Sequence, residues 1–598
     1  MEVCMKGKRR IAAILVICMM AGLCGCGQSI YEVYNLVPNE YLTEDEALEG
    51  GGEDSIGNDS QDSATQLTVE DIQRMNEGKA QIVYSSEGYV TFLQGKFSEK
   101  KVENYEDAIA SIQQIAGLIG LGAGSEFFAS FASEDDDGYT YYTFQQRYGE
   151  LTIRNATLRV VVDREGITAG LSCSFTPNIG IAPAVKEVGE EAALQIVQQR
   201  LTEEYPNIPF TYYGENTQKL AITFNGTTYS AYAVYTNNPN ANAADFDMLY
   251  IEHFVTLDGE YLPIRYPVAS FGTGNIDAFR NEDYFKNMTA EYRQFLVTRY
   301  NGVQETISVP VSYDTTTNLY YLADPERKIA VGRYADVVFH SQYGNFLSSQ
   351  DSTGWRNNDL LAYDRYIKAY DYYAALGLYS VDGSGMPIQV LTQFCDEQGN
   401  PVNNAVYMGV YAGWALFGTS DINNFGEAMD AVGHEYTHAI MDNSMVGNLY
   451  WNDTGAIFEA YADICGNIME MLYGMTEDNT WLIGENSGQP LRSMSDPHLF
   501  GQPISVNDPY YHPVSDTSDN GGVHTNSSLL NIMAYRLACY GMPLEEQRSL
   551  WLTTIELLTP LSGFREVHAA LLMSIDINGL NEGYKDILTE GFREAGLL

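Results

Sequence analysis

The chain is short of positive charge. Against 79 aspartates and glutamates stand 33 lysines and arginines, for a net charge of −46 over 598 residues. A polyanion of that size repels nucleic acid and anionic headgroups, so neither is an expected partner. Cysteine is also scarce: of eight, Cys4, Cys18, Cys24 and Cys26 crowd the start of the chain. The other four, Cys173, Cys395, Cys465 and Cys539, are widely spaced and form no metal-binding pair. They read as buried core thiols, not as a disulfide framework. No Gly-x-Ser-x-Gly elbow occurs, and no cysteine sits beside a histidine in a nucleophile motif, which disfavours serine and cysteine hydrolases. Histidine is equally rare, at eight copies, so any pattern among the histidines carries weight.

What is present starts with a leader. Lys6, Lys8, Arg9 and Arg10 precede an apolar run from Ile11 to Leu23. That is the pattern of a secretory signal, expected over residues 1–25, and it is too short for a stable membrane span. "LCGC" resembles a bacterial lipobox, with Cys26 after Gly25 as the lipidated residue; Cys24 departs from the usual pattern. Residues 26–66 are acidic, rich in Gly and Ser, and expected to be a flexible linker.

A chain this long exceeds one compact core. Residues 67–285 have an α+β pattern: "EEAALQIVQQRL" puts Ala193, Ile196, Val197 and Leu201 on one helical face. "ATLRVVVDREGITAGL" and "IEHFVTLDGEYLPI" each read as strand, turn, strand. Residues 275–304 are polar and mixed, a junction. Residues 305–433 are strand-rich around one helical stretch, "DLLAYDRYIKAYDYYAALG", and residues 434–598 are mainly helical. The expected fold class is α+β and multidomain.

The chemistry centres on "AVGHEYTHAI". In a helix, His434 and His438 lie one turn apart on one face, so both imidazoles reach a single cation. Glu435 projects beside them, placed to act as general base on a water. With this composition the pattern arises by chance on the order of 0.01 times per chain. "GAIFEAYADICG" adds Glu459, a carboxylate that completes a zinc site with one open position. Asp463, four residues on, shares that face and accepts a hydrogen bond from a ligand histidine.

These motifs resemble the thermolysin-like zinc metallopeptidases. That family has the same histidine–glutamate helix followed by a Gly-Ala-x-x-Glu-x-x-x-Asp helix. "DNGGVHTNSSLLN", "LRSMSDP" and "NNAVY" match further segments of the family in the same order. The resemblance implies a β-rich lobe, a helical lobe, and a zinc site of His434, His438 and Glu459 with Glu435 as base. It makes His524 an oxyanion donor oriented by Asp519, and Tyr450 a second donor, although one extra residue precedes Tyr450 here. Arg492, the Asn404 side chain and the Ala405 carbonyl would hold the substrate backbone. Ile422, Phe425, Ala431, Ile483 and Leu491 would line an apolar pocket for the residue after the scissile bond.

The family also binds calcium, here through Asp430, Glu470 and Glu485. Thr480 and Leu482 stand where acids are usual, and Asp478 is a substitute for a single ion. Phe458 replaces an asparagine beside the glutamate ligand, and Gly433 replaces an alanine. Residues 67–285 then resemble a propeptide, an intramolecular chaperone and inhibitor. The whole reads as a monomeric zinc endopeptidase, secreted or on the outer face of a bacterial membrane, tethered by lipid alone. Two rivals remain: a catalytically silent relative that binds peptides at the surface, and an N-terminal half that is itself the functional module.

Overall fold

The computed structural model describes residues 66–122, 126–135, 137–177, 179–181, 186–224, 227–237, 250–268, 284–340, 342, 344–396, 399–411, 414–422, 424–444, 449–475, 481–488, 490–513 and 518–598. The leader, Cys26, all of the linker but residue 66, Asp478 and Thr480 lie outside these residues.

Ten strands form one sheet in the N-terminal region: β1 (Gln81–Tyr84), β2 (Val90–Gln94), β3 (Glu126–Glu134), β4 (Thr140–Tyr148), β5 (Leu151–Val162), β6 (Thr168–Cys173), β7 (Thr211–Phe224), β8 (Thr227–Asn237), β9 (Tyr250–Thr256) and β10 (Tyr261–Val268). Its main path is β1-β2-β6-β5-β7-β8-β9-β10, with β4 joining β5 to β3. Both expected hairpins form. β5 turns into β6 where Asp163 Oδ1 accepts from the Glu165 and Ile167 amides, and β9 pairs with β10. The helix Glu190–Glu204 buries Ala193, Val197 and Leu201 against Tyr232, Val234 and Val255, as its periodicity requires.

The polar junction contains a regular strand. Met288–Thr298 (β11) pairs residue for residue with Gln304–Asp314 (β12), so the hairpin starts the next lobe. A five-stranded sheet follows: Ala323–Asp324, Ile329–Arg333, Ile388–Thr392, Trp414–Thr419 and, at its edge, Ala405–Tyr411. The helix Asn357–Ala374, here α1, packs beneath it with Leu361, Tyr363, Tyr366 and Tyr373 fully buried.

The helices from Met429 onward form the C-terminal lobe around the core of Ile457, Ile464, Leu530, Trp551 and Leu571. The first two are α2 (Met429–Ser444) and α3 (Asn452–Leu472). They cross closely because glycines meet there. A Cβ on Gly466 would lie 2.4 Å from the Asp430 carbonyl oxygen, and one on Gly433 would lie 2.9 Å from the Gly466 Cα. Rotation of α2 is set by aromatic stacking. Tyr436 lies parallel to Tyr373 of α1 at 5.4 Å and to Phe417 at 5.7 Å, and Tyr373 hydroxyl bonds Thr437. With Tyr436 in the core, His434, Glu435 and His438 turn to the cleft side. The fold class is the α+β, multi-part architecture expected.

One expectation fails. Cys173 and Cys465 are buried free thiols, but Cys395 is only half-buried and Cys539 is exposed. Cys539 is the last residue of the helix Ser528–Cys539, on a turn where the core face has passed.

Candidate active site

The α2–α3 crossing brings three donor groups together. His434 Nε2 and His438 Nε2 are 2.9 Å apart. Glu459 Oε2 lies 3.4 Å from the first, and its Oε1 3.3 Å from the second. All three residues are buried. Burial alone would drive His434 neutral, yet its bond to Asp463 and the nearby Glu459 carboxylate push it up to about 10. Burial would raise Glu459, but the charges of His524 and His438 hold it well below the carboxylate range. The pocket is thus built to face positive charge.

The donor chemistry fits zinc: two imidazole nitrogens, one carboxylate, and ligand atoms within 4.8 Å of one another. Glu459 Oε2 is buried without a hydrogen bond among the described residues, as an atom reserved for an ion would be. Behind the pair, His434 Nδ1 meets Asp463 Oδ1 at 2.9 Å. Asp463 also accepts from Arg492 Nε and Nη2, at 2.8 and 2.6 Å, and from Asn531 Nδ2 at 2.8 Å. Burial works against the Asp463 charge, but Arg492 and His434 outweigh it and hold Asp463 at about 2.

Glu435 is half-buried beside the histidines, and its Oε2 accepts the Tyr407 amide at 2.6 Å. Tyr407 belongs to the edge strand Ala405–Tyr411, so this bond fixes the carboxylate against the strand. Across the cleft, Tyr450 hydroxyl donates to Glu459 and lies 3.2 Å from His524 Nε2. His524 Nδ1 meets Asp519 Oδ1 at 2.6 Å. The other Asp519 oxygen accepts the His524 and Thr525 amides. The turn exists because Asp519, Asn520, Gly521 and Gly522 are all left-handed, with φ from 50° to 83°. Partial desolvation disfavours charge on His524, yet Glu459 and Asp519 push it up to about 9.

The other expected residues divide. Phe425 and Ala431 pack in one small cluster with Ala428, and Ala405 lies against them. Ile483 is buried in the helical core, whereas Ile422 and Leu491 are exposed. The Asn404 residue is exposed, and its carbonyl accepts the Ser420 amide. A second acidic cluster, Asp430, Glu470 and Glu485, converges within 4.8 Å on the other side of the α2–α3 contact. Burial, then Asp430 and Glu485, push Glu470 up to about 10. Burial raises Asp430 to about 6 against the Gly484 and Ala431 amides that bond it.

Three contributors were not found by sequence reasoning. Asn531 ends the "DNGGVHTNSSLLN" stretch, and its amide faces Asp463 only because the helix Ser528–Cys539 runs past α3. Asn486 donates to Glu470 Oε1 at 2.9 Å. The Tyr407 amide carries no side-chain signal at all.

Residues 298–442 match the family model described as thermolysin metallopeptidase, catalytic domain, and residues 447–597 match its alpha-helical domain. The thermostable neutral protease NprT of Geobacillus stearothermophilus is 28% identical over 501 residues, 77% of this chain and 84% of that protein. A bacillolysin of Bacillus caldolyticus is 31% identical over 313 residues, 48% and 55% of the two chains. Among solved structures, the precursor of protealysin from Serratia proteamaculans aligns at 22% identity with a TM-score of 0.37, covering 45% of this chain and 87% of that one.

Proposed function

Because the chain belongs to the thermolysin family and is a zinc metalloendopeptidase, we propose that it cleaves extended peptides with Glu435 as general base and His434, His438 and Glu459 as zinc ligands. The observation that carries this reading is the convergence of those three donors beside a carboxylate held by the Tyr407 amide. Zinc, when bound, acidifies water and polarises the scissile carbonyl. Glu435 takes the proton from the attacking water and passes it to the leaving amine. Tyr450 and His524 stand side by side to donate to the developing oxyanion, and Asp519 keeps His524 charged. Substrate adds alongside the edge strand, paired to the Ala405 carbonyl and the Asn404 side chain. Arg492, fixed on Asp463 through Nε and Nη2, has Nη1 for a carbonyl beyond the scissile bond.

Phe425 and Ala431 form the apolar wall for the following side chain, so a large hydrophobic residue is preferred there. Asp430, Glu470 and Glu485 hold one calcium ion; three carboxylates and neighbouring carbonyls reach the lower end of its coordination number.

Residues 67–285 act as a propeptide. The alignment with NprT extends far beyond the catalytic half, which supports this. The docking is intimate: Arg159 is buried, and its guanidinium donates to the carbonyls of Ser444, Ile555 and Glu556, at the C-terminal ends of α2 and of the helix Leu544–Leu557. The protein is exported and tethered through Cys26, and a cut within 275–304 frees the catalytic half. Recovery of that half from a membrane fraction, cut at the junction and free of residues 67–285, would contradict the tether.

The test is a panel of fluorogenic peptides that differ only after the scissile bond, assayed before and after chelation. Activity should vanish on chelation, return with zinc, and favour Leu or Phe over Gly or Asp. Zinc restoration without that preference would overturn the pocket assignment.

A further inference from the structure

The two histidine ligands are not equivalent. His434 has its far nitrogen tied to Asp463, which is itself held by Arg492 and Asn531. His438 Nδ1 is buried and has no hydrogen-bond partner among the described residues. What lies against His438 instead is Phe458, itself 1% exposed. The two rings are 4.6 Å apart between centroids and inclined by 14°. Parallel rings exclude an N–H···π bond: the Nδ1–H lies in the imidazole plane and runs along the phenyl face, not into it. The contact is stacking alone. The Phe458 ring also meets Tyr450 edge-on, with centroids 6.0 Å apart at 86°.

We infer that Phe458 is a positioning residue for the zinc site: it orients His438 by stacking where a hydrogen bond would otherwise do so, and leaves that arm the weaker of the two. The inference rests on the zinc reading above. To ligate through Nε2, His438 must be neutral with its proton on Nδ1. No described residue accepts that proton, so none of them fixes the tautomer or strengthens the ligand. His434 has both advantages. The same phenyl ring backs Tyr450, so ligand and oxyanion donor share one apolar wall.

The test is zinc affinity, measured by competition with a chromophoric chelator on the full chain carrying Glu435→Gln, so that the chain stays intact. Three proteins are compared: Phe458 retained, Phe458→Asn and Phe458→Leu. Circular dichroism and the melting temperature of the metal-free proteins report folding separately. Phe458→Asn offers Nδ1 an acceptor and should bind zinc about tenfold more tightly. Phe458→Leu keeps an apolar wall without a ring and should bind about tenfold more weakly. A folded Phe458→Asn that binds no more tightly overturns the inference. If Phe458→Asn does not fold, Phe458→Leu decides: affinity within about twofold of the parent would make Phe458 ordinary packing. A parent that takes up no zinc contradicts the zinc reading itself, which is a separate failure.

Discussion

Glu252 and Glu459 are both almost completely buried carboxylates, one in the N-terminal sheet and one in the helical lobe. Their surroundings differ in kind. Glu252 is answered entirely by protein: Arg154 Nε reaches both oxygens, at 2.9 and 3.2 Å, and Tyr235 hydroxyl donates at 2.8 Å. Glu459 faces three histidines and a tyrosine, yet one oxygen has no hydrogen bond among the described residues. Glu470, in the acidic cluster, likewise has an oxygen without one. Glu252 is closed on protein donors, whereas Glu459 and Glu470 each leave one oxygen open among the described residues. A carboxylate closed on protein donors serves the fold, and an open oxygen is the kind of atom that the proposed zinc and calcium would take up.

The largest effects should come from exchanging one buried carboxylate in each region. Glu459→Gln should abolish zinc retention, read by metal analysis after dialysis, and peptidase activity with it. Glu252→Gln should leave zinc content unchanged and destabilise the chain by about 3–5 kcal/mol, because Arg154 loses its counter-charge in the interior. Equal zinc loss in both would erase the distinction. Next in size is Arg159→Ala, which strips a buried cation from three carbonyls at two helix ends. The expected cost is about 2–4 kcal/mol by chemical denaturation, with hydrogen exchange accelerated at the end of α2. Protection unchanged at residues 440–444 would place the docking elsewhere.

Calcium should matter less. Removing it by selective chelation should lower the melting temperature without removing zinc. At a hundredfold excess over its dissociation constant the ion contributes about 3 kcal/mol. Asp430→Asn should blunt that response.

The smallest effect concerns acid. Burial and Arg593 depress His568 to about 4, and its Nε2 bonds Thr589. Between that value and the ordinary 6.5 the unfolded chain binds more protons than the folded one, so stability is present above 6.5 and is lost as pH falls through the window. His568→Gln should flatten the stability profile between pH 6.5 and 4 and leave it unchanged at pH 8.

Much of this was legible in the residues. His434, Glu435 and His438 announce themselves because a helical repeat converts spacing into a shared face. Glu459 and Asp463 do so by the same rule, and the two N-terminal hairpins by alternation and turn residues. What was not legible depends on contacts between distant segments. Nothing local says that Arg159 ends at Ser444, or that Asn531 bonds Asp463. The strand Met288–Thr298 looked like a connector because its segment is polar and mixed with no clean alternation, and only its pairing with Gln304–Asp314 makes it a strand. Cys539 read as core because it is widely spaced from the other cysteines and forms no metal-binding pair, but it follows Leu537, the last buried residue of its helix.

The most direct test is the zinc-loaded full chain beside its Glu435→Gln variant, each followed by mass spectrometry for cleavage within 275–304 and assayed on a casein-like substrate. One zinc per chain is expected in both, with junction cleavage and hydrolysis in the parent and rates at least about a thousandfold lower in the variant. Equal cleavage by the two proteins, or a zinc-bound parent that cuts neither itself nor casein, would contradict it.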